Sequence, residues 1–438
     1  MAFIVLKQKY IKGIDSPAFI PTGITTVDSN GTYNISNYEF IKVLVESNGI
    51  KQLACDNGNM WVLTKGGNLY GAGRNDYGQQ GSGGTDNVLT FTKRLDNVES
   101  VSCSSNTTWV VKKDGTLWGC GQGTYGQQGD GNTDSHSVKR FTQRLADVKK
   151  VACAHSHTVA LKTDGSVWTC GNGSSGQLLN KSTSIAKVGT FEQRMTGIKD
   201  IFAVGYCTWI WKDDDTLWIY GSNGNYSYRG GSSSGRNTIS DVKSVFMQGN
   251  YAWVIKKDNS LWGCGNDKCG EQGQGSTYES TTRQVDDFTK RMTSVASVFS
   301  SNYSTWVVKT DGTLWGCGSA SSGQQGNGST STKVIGKFTQ RMTDVKKAVC
   351  GELVSFALKT DGTLWICGSN YRGEAGTSIS STFAQKYTNI ADMFIEGDTM
   401  WLIKKDGTLW SCGANGYGKQ GTGDTKNVTT FGQRIMPK

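Results

Sequence analysis

From residue 48 onward the chain runs as short apolar stretches separated by clusters of Gly, Asn, Asp and Ser, with no helical periodicity. The stretch 148–195, VKKVACAHSHTVALKTDGSVWTCGNGSSGQLLNKSTSIAKVGTFEQRM, shows the order of elements. An apolar strand over Val148–Cys153 is followed by a second over Thr158–Lys162. Asp164-Gly165 then reads as a two-residue hairpin turn with positive φ at both central positions. A third strand covers Ser166–Cys170, a Gly/Ser/Asn loop follows, and a last short strand lies near Phe191. Four short antiparallel strands make one unit.

The unit recurs. Its third-strand aromatic stands at Tyr70, Trp118, Trp168, Trp218, Trp262, Trp315, Trp365 and Trp410, with gaps of 48, 50, 50, 44, 53, 50 and 45 residues. A four-stranded unit repeated eight times at a period near 50 predicts an all-β chain, a β-propeller over 48–438. Eight blades are expected, with seven blades and one ill-fitting unit as the alternative. Residues 1–47 fall outside the repeat and predict a small N-terminal β-segment for attachment or capping. Asn30-Gly31 is its turn and Tyr38–Val45 its alternating strand.

Composition agrees with many strands joined by tight turns: 58 Gly, 3 Pro and 14 Trp in 438 residues. No run approaches the ~18 apolar residues of a membrane helix. The opening MAFIVLKQKY holds too short an apolar stretch for a signal peptide, so synthesis and folding in a cytoplasm, without membrane insertion, are expected. The net charge of +10 leaves room for an acidic partner.

Cysteine is the residue most open to several readings. Cys120, Cys170, Cys264, Cys317, Cys367 and Cys412 share one repeat position, and Cys55, Cys103, Cys153 and Cys350 share another. Equivalent positions in different blades are too far apart for disulfide geometry. No C-x₂-C pair occurs, and Cys264 and Cys269 lack the second half of a zinc site. Packing between blades is the expected role, with a cross-strand disulfide such as Cys153 to Cys170 as the competing one.

TWVVKKDGTLWGCGQGTYGQQGDGNT at 108–133 and TVALKTDGSVWTCGNGSSGQL at 158–178 resemble the repeat of the regulator of chromosome condensation family. YGQQGSGGT at 77–85, CGEQGQGST at 269–277, SGQQGNGST at 322–330 and YGKQGTGDT at 417–425 carry its closing phrase. The resemblance covers nearly the whole chain after residue 48 and implies a β-propeller. Members of that family act as exchange factors, scaffolds or sensors, so the fold does not choose an activity. Within the N-terminal segment, DSNGTYNISNYEFIKVLV at 28–45 resembles a short β-module of structural and tail proteins of bacteriophages of Gram-positive bacteria.

Signals of catalysis are poor. His155-x-His157 would share a strand face, but no acidic cluster supports a metal there. GQGTYG at 121–126 and GNGSSG at 171–176 match a dinucleotide pattern without the βαβ unit that gives it meaning. No enzyme and no cofactor are expected. Two recurrent charges remain. Lys112, Lys162, Lys212, Lys256, Lys309, Lys359 and Lys404 stand two residues before the hairpin Asp, or at the same place in the repeat, and only the first unit has Thr64 there. On a closed ring they would gather on one face and attract an anionic surface polymer such as teichoic acid; a solvated hairpin end is the plainer account. Arg94, Arg144, Arg194, Arg291, Arg341 and Arg434 follow a Phe in FTKRL-like segments, where a guanidinium suits an inter-blade hydrogen bond. Units four and seven show NTISDV at 237–242 and KYTNIADM at 386–393 instead. Unit four also has YGSNGNYSYRGGSSSGRN at 220–237, whose Tyr226, Tyr228 and Arg229 suit an adaptable binding loop.

These features point to a non-enzymatic component of a bacteriophage or phage-tail-like particle. Residues 1–47 would contact other particle proteins, and the propeller would be displayed for host-surface recognition or as decoration. A homo-oligomer is allowed, and nucleic acid is not an expected partner. The alternative is an intracellular scaffold or regulator that binds a protein partner on a propeller face.

Overall fold

A computed structural model describes residues 49–437 except 57, 105, 181–185, 222–233, 249–250, 276–279, 281–282, 302 and 331–332. The expected N-terminal segment, 1–47, lies outside the described residues.

The chain forms eight four-stranded antiparallel sheets, each from four strands consecutive in sequence. The blades span 50–95, 98–145, 148–195, 198–239, 242–292, 295–342, 345–387 and 390–434. In blade three the strands are Val148–Cys153, His157–Lys162, Val167–Asn172 and Lys187–Met195. The fourth is nine residues long, not a short strand around Phe191. First strands of neighbouring blades touch one another, so they lie innermost. Ile390–Glu396 of blade eight touches Ile50–Asp56 of blade one, which closes the ring at eight blades.

The hairpin between second and third strands differs from the two-residue turn expected. Only Gly165 has a positive φ, of 79°. Its N–H bonds the carbonyl of Lys162 at 3.1 Å, while Asp164 Oδ1 accepts from the Ser166 N–H at 2.8 Å. This is a longer turn ending in a left-handed residue. The Asp is there for its oxygen and the Gly for its backbone freedom. Blades four and five place Asp215 and Asn259 in the same left-handed position.

Three contributions recur at the seams between blades, with Phe356 in place of the Trp at the seven-eight seam and Ala72 in place of the Cys at the closure. A second-strand Trp is fully buried and meets the fourth-strand Phe of the next blade edge-to-face. The pairs are Trp61–Phe141, Trp109–Phe191, Trp209–Phe288, Trp253–Phe338 and Trp306–Phe383, with Trp401–Phe91 across the closure. The final Gly of each YGQQG phrase makes room: a Cβ on Gly81 would stand 2.5 Å from the Phe141 ring. The thiol of the third-strand Cys reaches back to the preceding blade. Cys120 Sγ bonds the Gln79 carbonyl at 3.3 Å, and Cys317 Sγ the Glu271 carbonyl at 3.2 Å. The repeated Cys is thus a small buried donor across the seam, and no disulfide joins Cys153 to Cys170.

The seam between blades three and four departs from this plan at three positions together. Val159 replaces the Trp, Gly235 replaces the Phe, and Tyr220 replaces the Cys. Val159 and Tyr220 belong to one buried cluster with Leu179 and Ile201, and a Cβ on Gly235 would come 2.3 Å from the Tyr220 ring. One phenol ring thus fills the space of an indole and a phenyl. Blade seven departs less than its sequence suggests. Phe383 keeps the Phe position and packs on Trp306, with Lys386 and Tyr387 in place of the usual Arg and Met. The motif there is FAQKY.

Candidate functional site

Strands of a meander alternate in direction, so the second-to-third hairpins of all blades lie at one end of the ring. The other two kinds of connection, first-to-second and third-to-fourth, lie at the opposite end.

The hairpin end carries the seven lysines. Each is paired with the third-strand Trp of its own blade, the Nζ standing above the indole. The distances to the ring centroid are 4.1 Å for Lys112–Trp118, 4.7 Å for Lys162–Trp168 and 3.7 Å for Lys212–Trp218. They are 4.6 Å for Lys256–Trp262, 4.9 Å for Lys309–Trp315, 5.1 Å for Lys359–Trp365 and 3.5 Å for Lys404–Trp410. The indole N–H is also engaged: Trp118 Nε1 donates to Thr116 Oγ1 at 2.8 Å, and that hydroxyl donates to Asp114 Oδ1 at 2.6 Å. The same chain recurs at Trp315–Thr313–Asp311 and Trp410–Thr408–Asp406. Hydrogen bonds from the Thr hold the carboxyls of Asp114 and Asp311 below the usual carboxylate range. The Lys-x-Asp-Gly-Thr-x-Trp spacing therefore builds a local cation–π and hydrogen-bond unit. Lysine alone suggested a ring of charge; the aromatic six residues later was the signal for the pairing.

The six arginines lie on fourth strands, and four of them, Arg144, Arg194, Arg291 and Arg434, make hydrogen bonds within their own blade, contrary to the expected inter-blade bond. Arg144 Nε donates to the Gln128 carbonyl, Arg194 Nε to Thr169 Oγ1 and Arg434 Nε to Ser411 Oγ, at 2.8, 2.9 and 2.6 Å. Arg291 Nη2 reaches the Gly263 carbonyl at 3.3 Å. They tie the fourth strand to the third and to the loop between them.

The opposite end presents tyrosines. Tyr206 and Tyr303 sit between first and second strands of blades four and six, at 40% and 39% exposure. Tyr371 and Tyr417 sit between third and fourth strands of blades seven and eight, at 80% and 44%. The Arg74 guanidinium lies 5.2 Å from the Tyr417 ring centroid. The loop with Tyr226, Tyr228 and Arg229 joins the third and fourth strands of blade four, and these three lie outside the described residues.

His155 and His157 do not share a face: His155 is exposed in the turn, while His157 begins the second strand, fully buried. The imidazole Nε2 of His157 is 2.9 Å from Thr208 Oγ1 of the next blade, and burial pushes its pKa down to about 4. No group of three or more His, Cys, Asp or Glu side chains is placed to hold a metal among the described residues.

Residues 114–161 match the Regulator of chromosome condensation (RCC1) repeat, and a second description of that repeat matches 98–127 and 148–177. No curated protein matches the sequence. Among solved structures, Prp20p from Saccharomyces cerevisiae is 16% identical, with a TM-score of 0.53 over 76% of this chain and 89% of that one. The same yeast protein in complex with Kap60 gives 12% identity and 0.53, over 91% and 98%. Human WBSCR16 gives 17% identity and 0.52, over 85% and 94%. At these identities the likeness is one of fold. With the repeat matched in blades two and three and the Trp–Phe seam recurring at six of the eight blade junctions, the chain is an RCC1-like β-propeller.

Proposed function

We propose that this chain is a non-enzymatic scaffold or regulator that acts inside the cell and binds a protein partner on one face of the propeller. The observation that carries the reading is the set of exposed tyrosines, Tyr206, Tyr303, Tyr371 and Tyr417, all at the end of the ring opposite the hairpins. Tyrosine offers large, stiff contact area with a polar tip, which is why it is enriched where proteins meet. The fold relatives support the reading: Prp20p was described with its binding to Gsp1p and histones, and a second structure holds it with Kap60.

The particle-component reading rests on residues 28–45 alone, and the fold relatives lend it nothing. One experiment tests both. The tagged chain is used to capture proteins from its own cells, beside a variant with all four tyrosines changed to Ala. A partner held by the wild type and lost from the variant supports the tyrosine face. Identical capture by both overturns it, and recovery of particle proteins through 1–47 alone would support the other reading.

A further inference from the structure

A groove of about 590 Å³ opens between blades six and seven. Gln340, Arg341 and Thr343 line it from the end of blade six's fourth strand, and Lys359, Trp365 and Phe383 from blade seven. Here the recurrent Arg and the recurrent Lys, which belong to different blades, meet in one depression. No carboxylate lines it among the described residues. Asp344 and Asp361 lie nearby in sequence but do not line it. Asp344 accepts the Thr343 hydroxyl and Asp361 the Thr363 hydroxyl. Asp361 offsets part of the Lys359 charge from outside the groove, which leaves Arg341 as the cation without a counter-charge.

Arg341 stands apart from its counterparts. Arg144, Arg194, Arg291 and Arg434 have hydrogen-bond partners in their own blades, whereas Arg341 makes no hydrogen bond or ion pair among the described residues. Arg94 shares that state, but Arg341 is the one that lines this groove. Its Nε is buried without an acceptor, and burial lowers its pKa. A half-buried guanidinium without a counter-charge is costly and gains from an anion that supplies one.

We propose that this groove holds the side-chain carboxylate of an acidic, extended peptide segment, with Arg341 as the fork and Lys359 as the second cation. It rests on the protein-binding reading for the source of the peptide, and adds a second surface distant from the tyrosines. The planar guanidinium matches a carboxylate through two parallel hydrogen bonds. Phe383 and the edge of Trp365 provide an apolar wall for the methylenes of a Glu side chain. The Gln340 amide and Thr343 hydroxyl suit main-chain amides. A nucleic-acid base would need an open aromatic face, and Lys359 Nζ already covers one face of Trp365.

The test is fluorescence anisotropy with a fluorescein-labelled poly-glutamate peptide on the purified chain. Arg341→Met should weaken binding about tenfold to hundredfold, while Lys426→Met, which removes one exposed charge elsewhere, should change it little. Arg341→Lys should fall between them, and the fold accepts Lys at this repeat position, since Lys386 holds it in blade seven. No binding by the wild type, or equal loss in Arg341→Met and Lys426→Met, overturns the proposal. A labelled single-stranded DNA that binds better than the peptide and depends on Arg341 also overturns it. The wild-type tyrosines are intact throughout, so a negative result here leaves the capture experiment to judge the tyrosine face separately.

Discussion

Trp109 of the second blade meets Phe191 of the third edge-to-face, with ring centroids 5.7 Å apart and planes at 80°. The indole is fully buried, and its Nε1 has no hydrogen-bond partner, so the contact is one of packing alone. Trp109→Ala should cost about 3–5 kcal/mol of stability. A double-mutant cycle with Phe191→Ala should show about 0.5–1.5 kcal/mol of coupling. Denaturant unfolding of the four proteins checks this; strictly additive losses would deny the edge-to-face contact any energy of its own.

The seam between blades three and four predicts compensation. Val159→Trp alone adds an indole where Tyr220 already fills the space and should destabilise by about 1–3 kcal/mol. Tyr220→Ala alone leaves a hole and should cost about 3–5 kcal/mol. The two together should cost clearly less than their sum, because the new indole occupies the emptied volume. Thermal unfolding of the single and double variants reads this directly.

Two glycines three positions apart, Gly81 and Gly84, should behave in opposite ways. Gly81 has a φ of 61°, and its Cβ would press on Phe141 of the next blade. Gly81→Ala should therefore cost about 1–3 kcal/mol. Gly84 has nothing within 4 Å of the Cβ position. Gly84→Ala should stay within about 0.5 kcal/mol of wild type. Equal effects would mean that the repeat's glycines serve turn geometry alone.

Acid should weaken the same three–four seam through His157. Its pKa is about 4 when folded, against 6.5 ordinarily. The unfolded chain therefore binds a proton at higher pH than the folded one. The contribution of the neutral ring is fully present above about pH 6.5 and is lost as pH falls toward 4, a change of order 3 kcal/mol. Urea unfolding at pH 7 and pH 5 should show the wild type losing about 2 kcal/mol more than His157→Asn. Parallel losses in the two proteins would mean that His157 is not the group responsible.

Much of the ring is legible without coordinates. Strand alternation, the Asp-Gly hairpins and the period near 50 yield eight blades, because each blade repeats one local solution and local patterns survive in sequence. The hairpin geometry is hidden in the sequence because Asp164 and Gly165 look interchangeable there, whereas one supplies an oxygen and the other a left-handed backbone. The motif of blade seven is hidden because Lys386 replaces the Arg that marks it elsewhere, while the Phe that matters for packing is retained.

The sequence alone determined the repeating unit, its number and the residues available at each position, since these depend on neighbours along the chain. Tertiary structure decided what those residues do, because the seams within the chain are formed between positions some 40–80 residues apart. Only there does Cys120 find the carbonyl of Gln79, and only there do Val159, Tyr220 and Gly235 become one substitution instead of three. It likewise gave each recurrent lysine an indole to cover and left Arg341 facing a groove with no counter-charge of its own. The pitch of a blade fixes which side chains can meet, and that pitch exists only once the ring has closed.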